Sequence, residues 1–267
     1  MSEPATAQPR APKRIPVLGG YYALLIALLY LPIVILVIFS LNANQVLAFP
    51  LQGFTWQWYA QALANPTALA AARNSVLVAL GSSVVATALA TMVAILVARF
   101  SFRGKRLLLS LAVLPLIVPY IVLAVALLLL FAALDVNRSL WTVGFAHTVI
   151  ALPYALLIIV ARIGGVSPFL DEASADLGAD YVTTLRRVIL PIVAPAILAA
   201  WLVAFTASFD EFALALFLAG PDPTLPVFIY GQLRFASRLP MLISLATMVM
   251  AGTLTLAFVA DRLRRRS

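Results

Sequence analysis

Long apolar runs, interrupted by short polar and basic clusters, dominate the chain. A helix needs about 20 mainly apolar residues to cross a hydrocarbon core of about 30 Å, and helices satisfy their own backbone hydrogen bonds in lipid. Six segments meet that length: Tyr21 to Ser40, Ser75 to Ala98, Leu107 to Leu134, Trp141 to Ile163, Ile192 to Leu218 and Met241 to Leu263. The pattern predicts an all-α integral membrane protein with six transmembrane helices. Prolines stand within or at the edges of these runs at positions 32, 115, 119, 153, 191 and 195, which predicts kinks in a helix bundle whose neighbours satisfy the freed carbonyls.

The first run follows Arg10, Lys13 and Arg14, as a signal peptide's core would, but it is longer than the usual h-region of about 7 to 15 residues. No small-residue cleavage site follows it. It reads as a retained anchor helix behind a mobile polar tail, residues 1–18, with residues 19–267 forming a single transmembrane domain.

Composition agrees: 64% of residues are hydrophobic and 10% charged, well outside the balance of a soluble globular chain. The net charge of +8 is a matter of topology rather than of a nucleic-acid surface, because the basic residues sit at the ends of the apolar runs. If the N-terminus is cytoplasmic, that side collects Arg10, Lys13 and Arg14; Arg99, Arg103, Lys105 and Arg106; Arg162, Arg186 and Arg187; and Arg262, Arg264, Arg265 and Arg266. Only Arg73, Arg138, Arg234 and Arg238 remain outside, which predicts both termini in the cytoplasm. Cysteine is absent, which excludes disulfides and thiolate metal sites.

Three outer segments follow from this topology: Leu41 to Asn74, a short one at Asp135 to Leu140, and Gly220 to Pro240. Phe54, Trp56, Trp58 and Tyr59 in the first form either an interfacial aromatic belt or a short helix that seats a partner. On the inner side, the segment 164–191 between the fourth and fifth spans carries the clearest local grammar. Ser167 stands as an N-cap before Pro168, Asp171 and Glu172 place negative charge near a helix start, and Gly178 suits a left-handed residue that ends the helix. Asp180 then caps a second short helix, Tyr181 to Leu190, before Pro191 begins the turn into the fifth span. The expected product is two helices meeting at a glycine, with Ala173, Ala175, Ala179 and Leu177 forming a small face that another surface can approach.

Glu172, Ala173, Ser174, three residues, Gly178, nine residues, Val188, one residue, Leu190 and Pro191 resemble the EAA signature of permease subunits of binding-protein-dependent ABC importers. Ser174 stands where alanine is usual and Val188 where isoleucine is usual. Within that family the chain looks most like the spermidine/putrescine type, on Phe39-Ser40-Leu41-Asn42, Gly53-Phe54-Thr55, Trp58-Tyr59, Arg103-Gly104-Lys105, Gly220-Pro221 and Thr224-Leu225-Pro226. The resemblance implies a multi-pass protein of the bacterial inner membrane, importing polyamines or a similar small organic cation. A phosphonate or another metabolite is the alternative solute. It also implies three kinds of partner: a second, related permease subunit forming a heterodimer with this one, two cytoplasmic ATPase subunits that hold the ATP and Mg, and an extracytoplasmic solute-binding protein. Asp171, Glu172, Ala173, Ser174, Asp176, Leu177, Gly178, Tyr181, Leu190 and Pro191 would then couple to an ATPase subunit.

No cofactor and no catalytic residue are expected in this chain. The phosphate-binding pattern G-x-x-x-x-G-K-[ST] is missing, Gly104-Lys105-Arg106 being the nearest string, and one histidine cannot build the usual metal cluster. His147 reads as a hydrogen-bonded bundle residue, with a proton relay as the other reading. Asp210 and Glu211, in FTASFDEFALALF, sit at membrane depth, where a carboxylate must face protein or water. One of them either lines a path for a cationic solute, with Phe205, Phe209 and Phe212 nearby, or serves the bundle. A proton-coupled secondary transporter would use the same acids but would not need the loop grammar at 164–191.

Overall fold

The computed structural model describes residues 16–46 and 48–266. Most of the expected tail, residues 1–15, lies outside the described residues. Apart from an isolated bridge between Asn42 and Phe54, the described residues form only helices, turns and loops.

Helix α1 (Pro16–Ser40) is followed by a short helix α2 (Gln57–Ala64) and the long helix α3 (Pro66–Arg99). The aromatic cluster before α2 divides by environment. Trp58 is buried and its indole N–H donates to the Asn42 carbonyl at 2.7 Å, whereas Phe54 and Trp56 are exposed. Helix α3 begins nine residues earlier than the hydropathy pattern predicts. Asn65 caps it by accepting from the Ala68 N–H, and Pro66 occupies the first turn, where no N–H is needed.

The third apolar run is not one kinked helix. It divides into α4 (Lys105–Val113), a 3-10 turn at Leu114–Leu116, and α5 (Tyr120–Ala133), with 105° between the two arms. Pro115 and Pro119 bracket the break, so the two prolines end one helix and start another rather than bending a single rod. Among the described residues, five helices are long and apolar enough to cross a membrane, and the bent pair makes a sixth span if counted as one.

Helix α6 (Leu140–Gly164) leads to α7 (Phe169–Asp176), which the sequence pattern starts one residue early: Pro168, not Ser167, occupies the cap position. After the turn at Gly178 come α8 (Tyr181–Thr184), a π turn at Leu185–Ile189, and α9 (Leu190–Phe209). These three run on as one helix, Tyr181–Phe209. Pro191 therefore does not begin a turn: it lies near the start of α9, where the missing N–H costs little because the π turn already loosens the ladder. The fifth apolar run ends early instead, at Phe209, and resumes as α10 (Ala213–Leu218). The segment after α10 holds α11 (Leu225–Gln232) and a 3-10 turn at Ala236–Arg238, and α12 (Leu239–Arg266) follows.

Helices α3, α6 and α9 make the most extensive contacts. Ala86, Ala90 and Ala94 of α3 meet Ala151 and Ala155 of α6 and Ala200 and Ala204 of α9, all fully buried. Small side chains let helix backbones approach closely, which is how helices associate when lipid supplies no hydrophobic drive. A second cluster joins α5, α6 and α10, and a third joins α2, α3, α11 and α12. Helix α1 packs mainly on α12 and leaves most of its apolar surface uncovered by this chain.

Candidate functional site

Two regions hold the residues singled out in the sequence. The first is the loop between α6 and α9. Glu172, Ala173, Ala175, Asp176, Leu177 and Gly178 are exposed, and Leu177 retains 89% of its accessible surface. Gly178 has φ +84°, the left-handed conformation that ends α7, and the Ala179 N–H returns to the Ser174 carbonyl at 3.0 Å. Ser174 turns its hydroxyl inward to the Leu170 carbonyl at 2.7 Å, which explains why serine serves at a position flanked by exposed alanines. Asp180 caps α8 by accepting from the Thr183 N–H at 3.1 Å. Hydrogen bonding from Thr183, first from its side chain and then from its backbone, holds the Asp180 carboxyl below the usual range. The loop thus presents two short helices set around a glycine, with a small-residue face outward.

Beneath this face Leu170, Leu185 and Val188 pack against the core formed by α3, α6 and α9. Leu190 packs on the same core, and Pro191 follows it at the start of α9, so these two belong to the root of the loop rather than to its outer face. Arg99 of α3 reaches Asp171 at 3.1 Å, and the Phe100 ring meets Tyr181 edge-on at 5.4 Å between centroids.

The second region is the break after α9. Asp210 and Glu211, adjacent in sequence, have opposite environments. Glu211 is buried, and its carboxylate accepts from the Leu214 N–H at 3.0 Å and the Ala215 N–H at 3.2 Å, capping α10. Its Oε2 also lies 3.2 Å from His147 Nε2, and His147 Nδ1 lies 2.8 Å from Ser208 Oγ, itself 2.8 Å from Ser82 Oγ. A carboxylate only accepts, so with a neutral imidazole the proton sits on Nε2, Nδ1 accepts from Ser208, and Ser208 accepts from Ser82. This chain of bonds ties α3, α6 and α9 together across the bundle and satisfies every member.

Asp210 is exposed and opens onto a cleft of about 280 Å³ lined by Phe209, Phe212, Pro226, Ile229 and Tyr230 among others. Phe205 and Phe209 stack at 5.9 Å with 19° between their planes, and both face a neighbouring apolar groove against α3 and α12. Phe212 turns instead to Tyr230, 4.9 Å between centroids. The sequence signal for the break is the Glu211 to Leu214 spacing of a cap, hidden in a run with no glycine or proline. The Ser82–Ser208 link has no counterpart in sequence spacing.

A stack of apolar helices with an exposed two-helix loop and a carboxylate at a broken span defines a polytopic helical membrane protein. Residues 86–267 match the family described as "Binding-protein-dependent transport system inner membrane component". The chain is 33% identical over 248 residues to the spermidine/putrescine transport system permease protein PotC of Escherichia coli (strain K12), covering 92% of this chain and 93% of that protein. It is 30% identical to the putrescine transport system permease protein PotI of the same strain, covering 90% and 87%. In fold it is similar to a chain of a bacterial ABC transporter involved in import of the acidic polysaccharide alginate, with a TM-score of 0.71, 15% identity, and 96% and 99% of the two chains covered. The chain belongs to the family of inner-membrane components of binding-protein-dependent transport systems. It is an integral inner-membrane permease subunit of an importer.

Proposed function

We propose that this chain forms half of the translocation path of an ATP-driven importer of polyamines or a similar small organic cation. The observation that carries this reading is the likeness to PotC along more than nine tenths of both chains. Asp210 gives it a physical basis. It is an exposed carboxylate at the mouth of a cleft otherwise lined by aromatic and aliphatic side chains, which suits an ammonium group on an alkyl stem. Phe205 and Phe209 supply the apolar wall beside it.

In this reading the loop from Asp171 to Pro191 is the docking element for one of two cytoplasmic ATPase subunits. Its exposed alanines and Leu177 enter a groove of that subunit, and Asp176 and Glu172 lie on its polar margin. A second, related permease completes the path, and an extracytoplasmic binding protein delivers solute. ATP acts by favouring one of two arrangements of the helices through contacts at this loop. The chain itself performs no hydrolysis.

Reconstitution of the complete importer in proteoliposomes tests the reading. ATP-dependent uptake of spermidine or putrescine is expected, surviving a protonophore. Gly178→Asp is expected to leave the chain inserted while abolishing ATPase co-purification and uptake. Uptake that collapses with the proton gradient, or a Gly178→Asp importer that works normally, contradicts it.

A further inference from the structure

The docking loop is joined covalently to α6 and to α9 but not to α3, yet α3 grips both of its arms. Arg99, in the last turn of α3, pairs with Asp171 in the first turn of α7. The next residue, Phe100, packs edge-on against Tyr181 at the start of α8. The two contacts fall on opposite sides of the Gly178 turn, so α7 and α8 are both held to the same point of α3. The ion pair is not a loose surface pair. The Arg99 side chain keeps 9% of its exposure and Asp171 31%, and Arg99 Nε and Nη2 and Asp171 Oδ1 are buried without another partner. Each charge also sits favourably on its own helix, the cation at a carboxyl end and the anion at an amino end. Few routes are left for either group to find a substitute partner.

A second point of α3, about two and a half turns inside its start at Pro66, is fixed as well. Asn74 Nδ2 donates to the Pro223 carbonyl at 3.1 Å, and the Leu225 N–H donates to Ser75 Oγ at 2.8 Å. Leu225, with Pro226 and Ile229 of the same helix α11, lines the cleft at Asp210. Between Ser75 and Arg99 the helix extends about 36 Å at 1.5 Å per residue. Between these fixed points, α3 packs along its small-residue face against α6 and α9. A displacement of the loop thus has a continuous, stiff path to the cleft wall.

We infer that α3 is a push-rod, clamped to the docking loop by Arg99 and Phe100 and fastened to the α11 segment by Asn74 and Ser75, which carries loop movement to the Asp210 cleft. The inference rests on the docking role proposed above for the loop. Arg99 and Ser75 are positioning residues in this device and touch no solute.

This chain has no cysteine, so a thiol introduced into it can be followed on this subunit's own band in the assembled importer. Tyr230→Cys places a single thiol at the cleft, and its labelling by a maleimide is timed with and without a non-hydrolysable ATP analogue. The analogue is expected to change the labelling rate in this parent. Arg99→Asp is expected to reduce that change about tenfold while the ATPase subunits still co-purify, and adding Asp171→Arg to it is expected to restore the change to within about threefold. Ser75→Ala is expected to weaken the response from the other end. An Arg99→Asp importer that responds normally, or a double reversal no better than Arg99→Asp alone, overturns the push-rod and leaves the docking role standing. Loss of the ATPase from Arg99→Asp also overturns it, since Arg99 would then serve docking itself. A parent that co-purifies the ATPase but ignores the analogue overturns it too. A parent that captures no ATPase overturns the docking role and the push-rod together.

Discussion

His147 of α6 and Glu211, two residues past the end of α9, lie 3.2 Å apart with 1% and 3% of their side-chain surface exposed. The pair sits where two helices would otherwise separate, because Glu211 spends its remaining lone pairs on the first N–H groups of α10. Glu211→Ala leaves His147 Nε2 and the amides of Leu214 and Ala215 without their carboxylate acceptor, at about 1–3 kcal/mol for each buried group. A clearly lower thermal unfolding midpoint in detergent is expected for the purified subunit, and a smaller loss for Glu211→Gln, which keeps one acceptor. Equal midpoints for wild type and Glu211→Ala contradict the capping role.

Asp210 differs from its neighbour in having no such structural duty. Asp210→Asn should leave the unfolding midpoint nearly unchanged and raise the half-saturating concentration for spermidine about tenfold, the scale of one charge-assisted hydrogen bond. Uptake assays over a range of spermidine concentrations decide it: an unchanged half-saturation removes Asp210 from the path.

Gly220 has φ +67°, and a Cβ there would stand 2.5 Å from the Arg138 carbonyl oxygen. Gly220→Ala meets both a left-handed backbone penalty and a contact with backbone that cannot swing aside, so a loss of more than about 2 kcal/mol is expected. Low yield in the membrane and a depressed unfolding midpoint are the measurements.

Gly178 is the useful contrast, with φ +84° but nothing within 4 Å of a Cβ. Gly178→Ala should cost about 1–2 kcal/mol from the backbone alone. Its unfolding midpoint is expected to fall between those of wild type and Gly220→Ala, and the reverse order would refute the steric argument.

Asp180 makes the start of α8 sensitive to acid. Because Thr183 lowers its pKa on folding, the capped form gains stability that is complete above the ordinary aspartate value of about 4 and disappears as pH falls through the lowered one. Amide exchange at Thr183 should stay slow at neutral pH and accelerate, once corrected for intrinsic rates, only under strong acid. Asp180→Asn should remove that dependence.

The spans were legible because their cause is local: a run of apolar residues long enough for lipid predicts a helix wherever it occurs. The fourth matches to one residue at each end, Trp141 to Ile163 against Leu140–Gly164. Gly178 and Asp180 were legible for the same reason, since a left-handed residue and a cap are chosen by backbone geometry within a few positions. The start of α3 was written just as locally, in Asn65-Pro66, but hydropathy alone overlooks a cap outside the apolar run. What spacing could not reveal was set by distant partners. The fifth span stops at Phe209 because His147, Ser208 and Ser82 create a polar point for Glu211 to turn toward, and no window on the fifth span contains His147 or Ser82. The 105° bend of the third run was half visible: the prolines marked the place but not whether the arms would continue or fold apart.

In the π turn at the root of the loop between α6 and α9, the Leu190 N–H reaches back five residues to the Leu185 carbonyl. Such a turn holds one residue more than a regular α-helix with the same ends. Excising that surplus residue would tighten the ladder and rotate everything on the loop side by about 100° relative to α9. The outward alanines would swing a quarter-turn off their bearing, so one additional amino acid sets the azimuth of the loop's small-residue face.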